Sequence, residues 1–169
     1  MQAKGEYPAP AGAPKDIPGL EFAGEVAGFG SGLIGGHKIG DRVFGIVAGG
    51  GLAEYVVTAE RMAMTIPDAL DFDHAAAVPE VFLTAFDALE NRGEAKPGER
   101  VLIHAVGGGV GSAAVQLAHV MGCTVFGTSR TSGKLDRAKS LGLDLGIDAS
   151  KEDSPKSFEG RRRDEVSTS

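Results

Sequence analysis

The sequence is poor in the residues that cross-link proteins or bind metals. It has one cysteine, Cys123, four histidines and no tryptophan. A single cysteine excludes an internal disulfide framework and a multi-cysteine metal site, and we interpret Cys123 as a small buried apolar residue. No apolar run reaches the roughly eighteen residues of a transmembrane helix, and the N-terminal segment has no apolar leader. We therefore expect a cytoplasmic protein with no membrane partner.

The sequence also lacks the excess of positive charge that nucleic-acid binding requires. The formal net charge is −6, which predicts no nucleic-acid partner. A basic run at residues 161–163 lies in the tail 151–169, which has few sizeable hydrophobic residues, and two acidic residues follow the run at once. We expect this tail to be solvated and disordered.

Glycine, in contrast, is abundant, with 26 of 169 residues. Residues 21–30, 43–47 and 52–58 predict short strands, the last two divided by a glycine-rich turn. These strands indicate a compact β-rich domain. Residues 68–89 have a helical pattern that Pro79 must interrupt, which predicts two helices.

The pattern changes to alternating strands and helices from residue 96 onwards. Strands are predicted at 101–104, 124–128 and 145–148, with helices at 110–121 and 132–141. This alternation predicts a parallel sheet with flanking helices. The first helix has an apolar face at helical spacing and a glycine, Gly122, where a C′ residue would end it. The predicted face consists of Val110, Ala114, Leu117, Ala118 and Met121.

The sequence HAVGGGVGSAAVQLA at 104–118 carries the strongest functional motif. It follows a predicted strand and opens a predicted helix, which is the context of a dinucleotide-binding loop. Glycines there let a pyrophosphate approach the backbone N–H groups at the helix N-terminus, and Gly111 lets the helix pack closely on the strand. The alternative is a glycine-rich turn in an α/β protein that binds no nucleotide. We assign five residues to the cofactor site: Gly107, Gly108, Gly109, Val110 and Gly111.

The loop after the second strand distinguishes the two nicotinamide cofactors. NAD sites place an acidic residue about twenty residues past the glycines, where it binds the ribose 2′-hydroxyl. Here the segment GTSRTSGK at 127–134 has no acid and offers Ser129, Arg130 and Lys134. These residues suit a 2′-phosphate and predict NADPH as the cofactor. The alternative is that Arg130 and Lys134 are ordinary surface charges.

Together these segments resemble the quinone oxidoreductase and zeta-crystallin-like branch of the zinc-free medium-chain dehydrogenases. The matching stretches include PGLEFAGEV, KIGDRVFGI and KPGERVLIHAVGGGVGSAAVQLA. The resemblance implies an α/β chain in which a partial GroES-like β-rich domain, 1–90, precedes the first half of a Rossmann-type parallel sheet, 91–150. It also implies a chain truncated at both ends, so we expect residues 1–169 alone to be weakly active or inactive.

The resemblance bears on metal as well. Zinc-dependent members have a histidine ligand where this chain has Leu20, and a later cysteine ligand would fall near Glu80. The cysteine-rich lobe of the zinc enzymes is absent. Leucine cannot bind zinc, so we expect no metal site.

The resemblance implies an NADPH-dependent oxidoreductase that transfers a hydride to a small-molecule quinone or α,β-unsaturated carbonyl, and a homodimer in intact family members. It places Thr84 beside the nicotinamide and Tyr7 near the substrate mouth. The alternatives are a structural role for Tyr7, which explains it equally well, and a role for Thr84 in capping or packing a helix. No catalytic acid or base is identified. The alternative function is an inactive fragment, or a nucleotide-binding or structural derivative of such an enzyme.

Overall fold

The computed structural model describes residue 6 and the stretches 12–14, 16–32 and 34–151. Tyr7 and nearly all of the tail lie outside the described residues, so the predictions made for them stay predictions. The chain divides into two compact units between Glu80 and Val81. The domain boundaries that we expect at residues 90 and 150 likewise stay predictions. No helix in the described part of the chain has the length and apolar character needed to cross a membrane.

The first unit contains an antiparallel sheet of three strands among the described residues. Its strands are β1 (Glu21–Glu25), β2 (Arg42–Ile46) and β3 (Ala63–Thr65), in the order β1-β2-β3. The central strand β2 is the most buried, because it has a neighbour on each side and one face over the core. Phe44 on this strand packs with Ile66 in a small buried cluster. The predicted β-rich first domain is therefore confirmed.

One predicted strand of this unit is wrong. Residues 52–58 form no strand, although their composition favours one. The side chains of Leu52, Tyr55 and Val57 are 72%, 78% and 97% exposed. A strand needs a neighbour to receive its backbone hydrogen bonds, and no described segment pairs with this one. The first predicted strand, 21–30, is also shorter than expected, since the observed strand ends at Glu25.

A single carboxylate organises the loop between β1 and β2. The side chain of Glu60 accepts backbone N–H groups from Ile34 and Gly36, both at 2.6 Å, and from Gly35 and His37, both at 3.3 Å. These hydrogen bonds favour the ionised carboxylate, and the largest effect, from Ile34, lowers the pKa of Glu60. The loop is thus anchored by an ionised side-chain carboxylate that accepts hydrogen bonds from its backbone.

Replacing Glu60 with glutamine should lower the urea midpoint of unfolding at neutral pH. The amide keeps one acceptor oxygen but cannot accept four N–H groups as the carboxylate does. Because the folded pKa is lowered, the stabilisation is present above the unfolded-state pKa of about 4.3 and is lost as the pH falls through the folded value. The difference between the two proteins should therefore vanish in acid.

The matched control for that prediction is Glu54→Gln, which removes the same charge from an exposed side chain of the same unit. Equal midpoints for the two variants at neutral pH would contradict the anchoring role of Glu60. An effect of Glu60→Gln that stayed constant across the pH range would contradict it as well.

Two helices follow, and the predicted interruption at Pro79 is confirmed. Helix α1 (Phe72–Ala76) is capped by Asp71, whose carboxylate accepts the N–H of His74 at 2.8 Å. Helix α2 (Pro79–Phe86) begins at the proline, where the missing N–H costs no hydrogen bond. It continues as a π-helical turn over Asp87–Arg92. The side chains of Asp87 and Arg92 lie 2.6 Å apart in an ion pair.

The second unit contains a parallel sheet with the order β4-β5-β6 among the described residues. Its elements are β4 (Arg100–Ile103), α3 (Gly109–Val120), β5 (Thr124–Ser129), α4 (Ser132–Lys139) and β6 (Leu145–Asp148). This succession confirms the predicted first half of a Rossmann-type sheet. Gly122 follows α3 with a φ of +79°, as the predicted helix end requires.

The apolar face of α3 was predicted only in part. Ala114 and Ala118 are buried as expected, but Val110 is 40% exposed. Leu117 and Met121 are partly buried at the margin of the core. The centre of the buried face lies instead at Val115, which is fully buried. The predicted spacing was therefore centred away from the buried side of the helix, because it left out Ala113 and Val115.

Candidate nucleotide-binding site

The candidate site lies where β4 gives way to α3. The strand ends at Ile103, a turn covers residues 104–108, and the helix begins at Gly109. The N-cap of α3 is Gly108, and no side chain caps the helix. The first N–H groups of a helix have no partner within it and carry partial positive charge. An uncapped N-terminus of this kind is suited to binding an anion.

The glycines of this loop differ in what surrounds them. A Cβ atom on Gly108 would meet only the carbonyl oxygen of Ala105, at an ordinary 3.5 Å. A Cβ atom on Gly109 would lie 2.9 Å from Cγ1 of Val81 on α2, which is closer than packed carbon atoms approach. Among these glycines only Gly108 therefore has open space at its α-carbon, and Gly109 accommodates a neighbouring helix.

Gly111 leaves room for backbone atoms of the turn after β4. A Cβ atom there would lie 2.9 Å from the carbonyl carbon of Ala105 and from the α-carbon of Val106, and closer still to the Ala105 carbonyl oxygen. Backbone cannot rotate away as a side chain can. Gly111 is therefore required for the close approach of α3 to the turn after β4.

Gly107 faces the side chain of Lys134. A Cβ atom on this glycine would lie 2.7 Å from Cβ of the lysine and 2.9 Å from its Cγ. The stem of Lys134, on α4, therefore lies across the start of the glycine loop. Helix α4 thus brings one of the two predicted cationic residues to the loop.

The other predicted residues of this region lie at the carboxyl end of β5. Ser129 is buried, and its Oγ accepts the N–H of Thr131 at 3.2 Å, so it shapes the turn that carries Arg130. Arg130 and Lys134 are both exposed. Neither forms an ion pair with any side chain in the described part of the chain. Their charges are therefore available to a ligand.

Thr128 is a structural support of the site that the sequence analysis missed. Its side chain is buried, and its Oγ1 accepts the N–H of Ala105 at 3.4 Å and lies 3.1 Å from Nδ1 of His104. Its carbonyl oxygen accepts the N–H of Val106 at 3.0 Å. Ala105 has a φ of +55°, which is unfavourable for alanine, so Thr128 holds a strained turn in place. A polar residue late in a buried strand is the signal that would have found it.

An elongated cleft of about 780 Å³ runs along β4 and reaches the glycine loop. Its walls include residues 99–105, the loop residues 108–111 and the apolar side chain of Leu89. Among the described strands β4 pairs only with β5, so its other edge is unpaired. A ligand at the glycine loop would therefore border a largely apolar cleft.

Thr84 lies on the exposed side of α2. It is one helical turn after Val81, the residue that faces Gly109, and residues three apart share a side of a helix. The backbone N–H of Glu80, near which a cysteine ligand of the zinc-dependent relatives would fall, donates to the carboxylate of Glu21 at 2.8 Å. No three metal-binding side chains converge anywhere in the described stretches.

Cys123 has the environment predicted for it. The side chain is buried, and its thiol donates to the carbonyl oxygen of Lys96 at 3.4 Å. Burial, and to a smaller degree the charge of Glu99, raises the pKa of this thiol. A protonated, buried thiol is a poor nucleophile, so Cys123 is a structural residue.

Comparison with known proteins gives two family matches. The alcohol dehydrogenase GroES-like domain matches residues 1–68, and the zinc-binding dehydrogenase family matches residues 109–163. The first match falls in the region that the sequence analysis assigned to a GroES-like domain. The second begins in the region assigned to a dinucleotide-binding domain and continues to residue 163, into the segment expected to be a tail.

Individual proteins support these matches. The pikromycin polyketide synthase component PikAII of Streptomyces venezuelae is 45% identical over 143 residues, which cover 84% of this chain and 4% of that protein. The structure of the CurK enoyl reductase superimposes with a TM-score of 0.72 at 35% identity, over 80% of this chain and 41% of the other. Escherichia coli quinone oxidoreductase, solved in complex with NADPH, superimposes with a TM-score of 0.79 at 34% identity, over 86% and 44%.

The chain thus spans less than half the length of each of these relatives. The likeness nevertheless extends over most of the chain, through the antiparallel sheet of the first unit and the parallel sheet of the second. With the two family matches, at residues 1–68 and 109–163, it confirms the predicted resemblance to the medium-chain dehydrogenases.

Proposed function

We propose that the chain is part of an NADPH-dependent, zinc-free oxidoreductase that transfers a hydride to a quinone or an α,β-unsaturated carbonyl. The observation that carries the proposal is the glycine loop. It leads into an uncapped helix N-terminus, and the stem of Lys134 lies across it. The segment 127–134, which carries the exposed Arg130 and Lys134, has no carboxylate. This combination favours a ligand with both a pyrophosphate and a further phosphate.

The residues present fit NADPH. Gly108 leaves space for the pyrophosphate against the first N–H groups of α3. Arg130 and Lys134 are available for the 2′-phosphate, since guanidinium and ammonium groups form strong charge-assisted hydrogen bonds to phosphate. Ser129 fixes the turn that carries Arg130. When bound, the cofactor supplies the hydride, and the protein's part is to hold and orient it.

The substrate class follows from the chemistry that the chain lacks. Ionising an alcohol at neutral pH benefits from a strong Lewis acid such as zinc, whereas a quinone or an enone is already electrophilic. Leu20 stands where the zinc-dependent relatives have a histidine ligand, and leucine has no atom that binds zinc. The likeness to an enoyl reductase and to a quinone oxidoreductase supports a conjugated acceptor. We assign Thr84, on the side of α2 that faces Gly109, to the nicotinamide end, and Tyr7 to the substrate mouth.

The unpaired edge of β4 favours a second candidate, a protein that binds the nucleotide but does not turn over. Stable proteins usually cover or pair the edge strands of their sheets, whereas β4 has one edge that no described strand pairs with, beside an apolar cleft. For this second candidate, the glycine loop binds NADPH, but the groups that take part in hydride transfer are not brought together.

A binding titration followed by a turnover assay separates the two functions. We expect NADPH to bind to residues 1–169, and a longer protein that contains them to oxidise NADPH when a small quinone or an enone is added. Dialysis against a chelator should leave both results unchanged, because no zinc takes part. Binding without turnover in the longer protein would favour the non-catalytic candidate. Loss of turnover on chelation, restored by zinc, would refute the zinc-free mechanism.

A further inference from the structure

Lys134 is fixed against the glycine loop from its first side-chain carbon. It is the third residue of α4, and its backbone N–H donates to the carbonyl of Thr131 at 3.1 Å. The helix backbone sets the position of its Cβ, which would lie 2.7 Å from a Cβ atom placed on Gly107. Rotation about the side-chain bonds cannot relieve a clash at Cβ. Any larger residue at 107 must therefore displace the loop or α4.

The remainder of the lysine stem follows the same course. Its Cγ would lie 2.9 Å from a Cβ atom on Gly107, and its Cδ closer. The ammonium is two bonds beyond Cδ, so it stays near the loop. The stem thus uses the space that a side chain at 107 would occupy, and this space is not open to a phosphate. Gly108, with nothing closer than 3.5 Å, is the glycine that leaves room for the ligand.

From this contact we infer that Gly107 is a specificity-determining residue that acts through Lys134. The absence of a side chain at 107 lets the lysine lie across the loop and present its ammonium to the additional phosphate of NADPH. The inference rests on the proposed cofactor and gives Gly107 a role different from that of Gly108. Gly107 is a positioning residue, and its loss should weaken NADPH binding more than NADH binding.

The test is a double-mutant cycle with Gly107→Ala and Lys134→Ala, read by dissociation constants for NADPH and NADH at fixed ionic strength. We expect Gly107→Ala alone to weaken NADPH binding about tenfold more than NADH binding, since one charge-assisted contact is lost. In the Lys134→Ala background the same change should leave the NADPH-to-NADH ratio unaltered. The control, Gly108→Ala, should weaken both cofactors alike, because it obstructs their shared pyrophosphate.

A second readout needs no cofactor. Thermal unfolding should show that Gly107→Ala lowers the melting temperature, and that Lys134→Ala restores part of the loss, because it removes Cγ and Cδ of the lysine but leaves the contact at its Cβ. Contacts of this kind are non-additive in a cycle. Additive melting shifts, or equal weakening of NADPH and NADH by Gly107→Ala, would overturn the inference. Absence of any NADPH preference in the unmutated chain would instead overturn the proposed function, which the melting cycle does not depend on.

Discussion

Replacing Gly111 with alanine should destabilise the second unit by about 3 kcal/mol, at the upper end of the usual cost of overpacking. The added methyl group would meet the carbonyl group of Ala105 and the α-carbon of Val106. Both are backbone atoms of the turn that leads from β4 into the glycine loop, so relief requires the whole turn to move away from α3. Alanine is the better helix former by about 1 kcal/mol, which offsets only part of the cost. Urea unfolding of both proteins measures the difference.

Gly133→Ala is the matched control. This glycine also lies in a helix of the second unit, but a Cβ atom there would meet nothing within 4 Å. The same substitution should therefore stabilise α4 by up to about 1 kcal/mol. If Gly111→Ala unfolded at the same urea concentration as Gly133→Ala, the close approach of α3 to the turn would be refuted.

The roles of the glycines show what sequence could predict and what it could not. The motif placed the loop between a strand and a helix, and the structure confirms that placement. Four nearby glycines appear interchangeable in a motif, yet Gly107 faces a lysine, Gly109 faces Val81 and Gly111 faces backbone. These neighbours come from α2, α4 and the turn after β4. Their approach depends on tertiary packing, which a local pattern does not contain.

The failed strand at 52–58 has a related cause. Its β-branched and aromatic residues satisfy the local requirement for a strand, but pairing depends on a second segment elsewhere in the chain. The buried face of helix α3 was predicted only in part, because Ala113 and Val115, which the prediction left out, are buried, whereas Val110 is 40% exposed. Composition indicates which residues can be buried, and only the distance between helix and sheet decides which of them are.

Replacing both Arg130 and Lys134 with alanine should remove most of a ten- to hundredfold preference for NADPH over NADH. The two cofactors differ only by the 2′-phosphate. Both side chains are exposed and have no ion-pair partner in the described part of the chain, and no carboxylate lies between Val125 and Leu135. Charge-assisted hydrogen bonds contribute about 1.5–3 kcal/mol each when well formed, but exposure and salt reduce this. We therefore expect the chain to bind NADPH roughly ten to a hundred times more tightly than NADH.

The measurement is a pair of dissociation constants for each variant at fixed ionic strength, with Arg137→Ala/Lys139→Ala as the control. That pair removes the same charge from the far end of α4, where Lys139 also pairs with Asp136, so it reports the effect of net charge at a distance from the loop. We expect the control to keep the preference, and NADH affinity to be nearly constant throughout, because NADH has no phosphate at the 2′ position. Equal NADPH and NADH affinities in the unmutated chain would overturn the cofactor assignment. A preference for NADPH that survives the Arg130/Lys134 replacement would place the phosphate-binding residues elsewhere. If the control variant also lost the preference, long-range electrostatic attraction would explain it, and added salt should then abolish it.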